Sequence, residues 1–290
     1  MNESTVPSPL FPAPPSAPPV VIPPPSTDPL AKVMLSRGFE VFRRAWGPIL
    51  VAALCVIFSQ IPMQVVSMAV NIATMPAPRA PGAPPAMPVF AAAQVGVLVL
   101  SFLYGILVVM PLTVGVVVFV ANVSRGRAVE WSLLFSGFRR YGAVVVSNLI
   151  QMAVGIAIMS CAVVVVGGLA WVASSAAGDA AAFAIAIPLG LVALGFSIWV
   201  SVRLSFASVS AADPTLPPRS GVDAVKYSWR ISEGHVLNLI VGFIAVTVIV
   251  MLSVLLLCVG YILVGIPFLC AAYGATYDEL VRRDHALTPA

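Results

Sequence analysis

Residues 236–277 read VLNLIVGFIAVTVIVMLSVLLLCVGYILVGIPFLCAAYGATY, a run with no charged side chain. As one helix it would be about 63 Å long at ~1.5 Å per residue, roughly twice a ~30 Å hydrocarbon core. It therefore has to turn back, and the stretch from Gly260 to Gly265, just before Pro267, is the expected place. A run that enters and returns makes two spans, and its ends face the same side.

Four more apolar stretches lie upstream, at 47–71, 91–121, 143–173 and 181–205. The expectation is six spans. Composition agrees: 60% of the 290 residues are hydrophobic, 9% are charged, and the mean hydropathy is +1.04. A soluble domain carries about 25% charged residues. This balance excludes a cytosolic enzyme, a secreted disulfide scaffold and a nucleic-acid-binding domain. The net charge of +4 comes from basic residues beside the spans, where they act as topology signals and headgroup contacts.

Those basic residues test the span count. Lys32, Arg37, Arg43 and Arg44 precede the first span. Arg125, Arg127, Arg139 and Arg140 lie between the second and third. Arg203, Arg219, Lys226 and Arg230 lie between the fourth and fifth, and Arg282 and Arg283 follow the sixth. With six spans all fourteen share one side, and Arg79 stands alone on the other. The positive-inside rule then places both termini in the cytoplasm of a bacterial inner membrane.

Residues 1–30 hold eleven prolines and are expected to form a disordered, partly polyproline II tail. A second proline-rich stretch, Pro76–Pro88, reads as an extended loop. No Lys or Arg occurs in the first thirty-one residues, so no secretory signal is expected. The domain plan is a tail over 1–30, a six-span membrane domain over 31–285 and a short tail over 286–290. Cys55, Cys161, Cys258 and Cys270 lie in apolar stretches without metal-ligand spacing and read as small packing residues.

A threefold pattern precedes the odd-numbered spans. It runs Phe42-Arg43-Arg44-Ala45-Trp46-Gly47, then Phe138-Arg139-Arg140-Tyr141-Gly142, then Tyr227-Ser228-Trp229-Arg230 with Gly234. Upstream of each, apolar residues recur at helical spacing: Val33, Met34, Val41 and Phe42; Trp131, Leu134, Phe135 and Phe138; Val222, Val225 and Trp229. Such stripes beside basic residues read as helices lying in the interface. The expected fold is an all-α integral membrane protein of six transmembrane helices in three hairpins, each preceded by a cytoplasmic in-plane amphipathic helix.

The order Arg203, Asp213-Pro214, Ala224, Ser228-Trp229-Arg230, Gly234 and Pro267 resembles the membrane domain found ahead of the catalytic domain in some bacterial glycerophosphoryl diester phosphodiesterases. It also resembles related bacterial membrane families of unknown function. The pattern extends over 32–285 and is specific across 200–280. That enzyme's catalytic part needs a soluble barrel with paired carboxylates and a histidine, and with few residues after the last expected span no such barrel is expected. The resemblance implies a membrane fold and not an activity.

The remaining residues argue the same way. None of the eleven acidic residues lies in the middle of an expected span, so a carboxylate proton relay is not expected. Asp278 and Glu279 are adjacent, point apart on a helix and read as solvating its end. Gln60, Gln64, Gln94, Asn148, Gln151 and Asn238 read as interhelical hydrogen-bonding groups. Arg203 is the deepest charge; it is expected to reach toward the headgroups, with Asp213 or Glu130 as a partner. No cofactor, metal or catalytic residue is expected. The candidate headgroup or interface contacts are Arg43, Arg44, Trp46, Arg139, Arg140, Arg203, Asp213, Trp229 and Arg230. The leading expectation is a non-enzymatic structural or accessory protein that organises lipid, or a second membrane protein, at the cytoplasmic face. The alternative is a transporter or lipid-handling protein, with Pro62, Pro111, Pro188 and Pro267 supplying broken helices.

Overall fold

The computed structural model describes residues 26–73, 87–255 and 259–287. Residues 1–25 of the expected tail, nearly all of the Pro76–Pro88 loop and Cys258 lie outside them. Among the described residues every regular element is helical: α1 (Leu30–Ala73), α2 (Met87–Tyr104), α3 (Met110–Ser124), α4 (Ser136–Arg139), α5 (Tyr141–Ala177), α6 (Asp179–Leu204), α7 (Ala207–Ala212), α8 (Gly221–Ile231), α9 (Val236–Val254) and α10 (Ile266–Leu287). A 3-10 turn, Trp131–Phe135, leads into α4.

Five helical stretches are long and apolar enough to cross a membrane: Leu30–Ala73, Ala92–Ser124, Tyr141–Ala176, Asp179–Ala212 and Val236–Val254. The first four cover the four upstream stretches, and the fifth is the first half of the 236–277 run. Its second half forms a π-helical turn, Tyr261–Gly265, and the start of α10. The expected reversal at Gly260–Gly265 is thus corrected. Those residues are helical, and Gly265 already lies against Ser253 of α9.

Prolines account for the irregularities. Pro48 has no N–H for the Arg44 carbonyl, and α1 kinks at Ala45 (φ −130°, ψ 29°). The two π-helical turns, Gly105–Val109 and Tyr261–Gly265, end shortly before Pro111 and Pro267. Pro267 cannot donate to the Leu263 carbonyl four residues back. The Trp46 Nε1–H fills that vacancy, donating to Leu263 O at 2.8 Å.

The buried residues gather at one end. Ile49, Ala52, Val116, Phe119, Val120, Ala271 and Ala275 join α1, α3 and α10. Phe206, Ala224, Tyr227, Leu239, Tyr277 and Leu280 join α7 to α10. The α4 segment is set on α3 by two close backbone approaches: a Cβ at Gly115 would overlap the Leu134 carbonyl, and one at Gly137 the Pro111 carbonyl. The distal parts of α5 and α6 pack on each other and present Val163, Val164, Trp171, Phe183, Leu191 and Val192 outward.

One packing relation bears on orientation. The first half of α1 runs antiparallel along α10: Asp28 meets Arg283 (2.7 Å), Gly38 closes on Ala272, Phe42 stacks edge-on against Phe268 (6.0 Å) and Trp46 reaches Leu263. The stripe Val33, Met34 and Val41 is buried in protein. The helix over 33–42 therefore packs along α10 and is not a separate element lying apart from the bundle. The glycines closing the threefold pattern also differ in role. Gly234 has φ +74°, a conformation that favours glycine, whereas a Cβ at Gly47 or Gly142 would meet open space.

Candidate functional site: a buried ion cluster at the charged end

The chain leaves α3 at Ser124, and the next residue, Arg125, turns inward. Its Nε–H donates to Asp278 Oδ1 (2.9 Å), its Nη1 to Thr215 Oγ1 (2.9 Å) and its Nη2 to Asp213 Oδ2 (3.0 Å). One guanidinium thus ties the end of α3 to the α7–α8 loop and to α10. Asp213 is 1% exposed. It also accepts from the Thr215 N–H (2.9 Å) and hydroxyl (2.7 Å), an Asx turn set by Asp213-Pro214, and from the Tyr277 hydroxyl (3.1 Å). Burial by itself would raise the Asp213 pKa, but the Arg125 guanidinium and the Thr215 hydrogen bonds hold it below the usual carboxylate range. Arg125 is held above its ordinary value by Asp213 and Asp278, against the opposing effect of its own burial.

A second cluster adjoins the first on α10. Glu279, fully buried, pairs with Arg37 of α1 (2.8 Å) and with Arg283 (3.2 Å), and accepts from the Ser26 N–H (2.7 Å). Arg283 also donates to the carbonyls of Ser26 (2.8 Å) and Asp28 (2.7 Å). The expectation that Asp278 and Glu279 solvate a helix end is overturned: both are buried and paired with cations. The last residues of the expected tail, 26–29, are likewise held against α10 and not free.

The expected contact residues divide between outside and inside. Arg43, Arg44, Arg139, Trp229 and Arg230 are exposed, and Arg230 pairs with Asp284 (2.8 Å). Trp46 is exposed with its indole N–H bound to Leu263. Arg140 turns inward to the carbonyls of Asp213 (3.0 Å) and Leu216. Arg203 pairs with neither Asp213 nor Glu130. Its guanidinium lies 4.5 Å from the ring centres of both Trp199 and Trp229. Two aromatic faces and a weakly hydrated, planar cation make that arrangement favourable. The Ser228 hydroxyl donates to the Arg203 carbonyl at 2.6 Å, so the residues that carry the phosphodiesterase resemblance, Arg203, Ser228 and Trp229, assemble in one place.

The residues missed from sequence are Arg125, Arg37 and Arg282. They stood among the fourteen same-side cations with nothing to mark them as inward-facing. Of the polar residues in apolar stretches, Gln94 donates to Asn71 (2.7 Å), while Gln60, Gln64, Ser67, Ser101 and Tyr104 line a cavity of about 240 Å³ beside the Gly105–Val109 turn. Cys55 and Cys161 are exposed on apolar helices and Cys270 is half-buried. Among the described residues no group of three His, Cys, Asp or Glu is placed to hold a metal. Comparison with protein-family models, curated proteins and solved structures gave no match.

Proposed function

We propose that this chain is a non-enzymatic, multi-pass protein of the bacterial cytoplasmic membrane whose charged end is a rigid platform for lipid headgroups or a partner membrane protein. The observation that carries this reading is the Arg125 clamp. It joins three segments far apart in sequence and leaves Arg43, Arg44, Arg139, Trp229 and Arg230 facing outward. Exposed arginine and tryptophan on a fixed frame suit a headgroup layer. Buried carboxylates matched by guanidinium groups hold a fold in place and are poorly suited to carrying protons. Mass spectrometry of the protein in native lipid particles tests the reading. An enriched lipid or a stoichiometric partner protein supports it, and the absence of both refutes it.

For the topology we propose six crossings in three hairpins with both termini cytoplasmic. Ser26 and Asp28 touch Glu279 and Arg283, so the ends of the described chain lie together, which calls for an even number of crossings. α9 packs on the Tyr261–Gly265 turn and on α10, which supports pairing a crossing by α9 with a return. Cysteine labelling is expected from outside at positions 84, 178 and 257 and from inside at 128 and 223. External labelling at 128 or 223 overturns the topology. One observation favours a second arrangement with four crossings. Because α1 runs along α10, taking α10 across the bilayer carries Glu40, Arg43 and Arg44 with it, at ~2.5–3.5 kcal/mol for each cation at the centre. In that arrangement the α9–α10 pair lies in the cytoplasmic leaflet, and position 257 labels from inside.

A transport reading rests on the Gln60–Gln64–Ser101–Tyr104 cavity next to a π-helical turn, a feature frequent at functional sites. It predicts solute flux in proteoliposomes that Gln60→Leu with Gln64→Leu abolishes.

A further inference from the structure

We infer that the pocket enclosed by α1, the end of α3 and α10 binds a singly charged phosphoryl group. The pocket has a volume of about 320 Å³ and is lined by Arg37, Glu40, Arg44, Arg125 and Arg282, with Val41, Val123, Ser124 and Gly126 completing the wall. Four guanidinium groups from three separate helical segments converge on one cavity. Two of them have donors to spare. Arg282 is 8% exposed, and its Nη2 is held by Asp278 (2.5 Å), but its buried Nε–H and Nη1–H have no acceptor. A buried donor left unpaired is costly, and native proteins satisfy nearly all of them. Arg44 is exposed and makes no ion pair among the described residues. The other two arginines are fixed in place: Arg125 by Asp213 and Asp278, Arg37 by Glu279. The pocket therefore offers unused donors in a frame that is already locked.

The ligand's chemistry follows from the geometry and from the charge. Guanidinium groups arriving from different helices suit a tetrahedral oxyanion, whose oxygens point several ways, better than a planar carboxylate that one fork satisfies. The surrounding charge is nearly balanced. Arg37, Arg44, Arg125 and Arg282 are offset by Glu40, Asp213, Asp278 and Glu279, and Arg283 leaves a single positive charge over. That favours one negative charge, as on a phosphodiester, over two. Glu40 at the wall adds repulsion against a second charge. The source is a phospholipid headgroup or a free phosphate in its singly charged form, and both present anionic phosphoryl oxygens. The inference deepens the platform reading and rests on it for the lipid source, though not for the phosphate itself.

The experiment titrates the full chain in neutral detergent with dihexanoyl phosphatidylglycerol and, separately, with inorganic phosphate, using native mass spectrometry for stoichiometry and thermal melting for affinity. One phosphatidylglycerol per chain is expected. Arg44→Gln, which breaks no ion pair, should weaken binding about tenfold, a difference of ~1.4 kcal/mol. Arg282→Gln should abolish it, and Arg139→Gln, exposed and away from the pocket, should leave it unchanged. Binding of inorganic phosphate with the same Arg44 dependence, and without lipid retention, assigns the pocket to a free phosphate. Binding of neither probe, or binding indifferent to both Arg44→Gln and Arg282→Gln, overturns the inference. Arg44-dependent phosphate binding in a protein that retains neither lipid nor partner in native particles would leave the pocket standing and refute the platform.

Discussion

Replacing Arg125 with Met tests the frame on which everything else depends. Arg125 is Asp213's only ion pair among the described residues, and both side chains are more than nine-tenths buried. Asp278 keeps Arg282 when Arg125 is lost, whereas Asp213 keeps only hydrogen bonds from Thr215 and Tyr277. Removing one partner of a buried pair costs about 3–5 kcal/mol because the other charge is left uncompensated. Asp213→Asn should cost less, about 1–3 kcal/mol, since Arg125 retains Asp278. The double variant should then be more stable than the two single losses added together, with a coupling of about 2 kcal/mol. The effect of pH provides a second check. In the wild type the Asp213 pKa is lowered, so its contribution is full above the unfolded value of about 3.9 and is lost only as pH falls through the folded value. No change is expected from this group between pH 7 and 5. In Arg125→Met the charge that opposed burial is gone and only hydrogen bonds remain against it, so the pKa rises, and acidification protonates Asp213 and relieves the strain. The deficit should shrink by up to about 2.7 kcal/mol over those two pH units. Reversible denaturant unfolding in detergent, followed by tryptophan fluorescence, measures both. A cost under about 1 kcal/mol, or a deficit that does not change with pH, would refute the reasoning.

Three further outcomes are expected. Gly115→Ala and Gly137→Ala each drive a methyl into a backbone carbonyl that cannot rotate away, so each should lose about 1–3 kcal/mol or more, while Gly155→Ala, facing open space, should be neutral or stabilising in the same unfolding assay. Trp199→Leu and Trp229→Leu should each cost about 0.5–1 kcal/mol through loss of the Arg203 contact, and the second loss should be small once Arg203→Met is in place, which a double-mutant cycle measures. His235 is held below its usual pKa by burial and by the charge of Arg283, so its neutral form suits the fold. Its contribution is present above about pH 6.5 and is lost as pH falls from there toward the folded value; His235→Gln should flatten that part of the stability profile.

The apolar stretches were legible because a hydrocarbon core demands length and sets helix ends, and the ends of α5 and α6 fall within a few residues of the expected ones. The fourteen same-side cations were legible as a class. Their individual destinations were not, because an arginine at a helix end has the same neighbours in sequence whether it faces a headgroup or a buried carboxylate. Arg139 is exposed, and its neighbour Arg140 turns in to the Asp213 carbonyl. Glycine marks a turn at 260–265 in the sequence, yet those residues are helical. Gly265 instead lets Ser253 of α9 approach closely, and the Leu263 carbonyl takes a hydrogen bond from Trp46, 217 positions away. No local pattern contains such a partner.

The α10 carboxylates show how one geometric fact supports opposite conclusions. Adjacent residues on an α-helix point about 100° apart, and for Asp278 and Glu279 this argues against a shared site. It does exclude one, but it also lets a single helix serve two neighbours. Asp278 faces the end of α3 and holds Arg125, which holds the α7–α8 loop. Glu279 faces α1 and holds Arg37 and the backbone ahead of Leu30. Arg282 and Arg283, each four residues on, repeat the same offset with the opposite charge. α10 is therefore the hub of the charged end, and its low hydropathy follows from that role. A helix that only crossed a bilayer would have no use for five ionisable residues in the seven positions from Asp278 to Asp284. A helix that ties residues 26–28, α1, the end of α3 and α8 together needs nearly all of them.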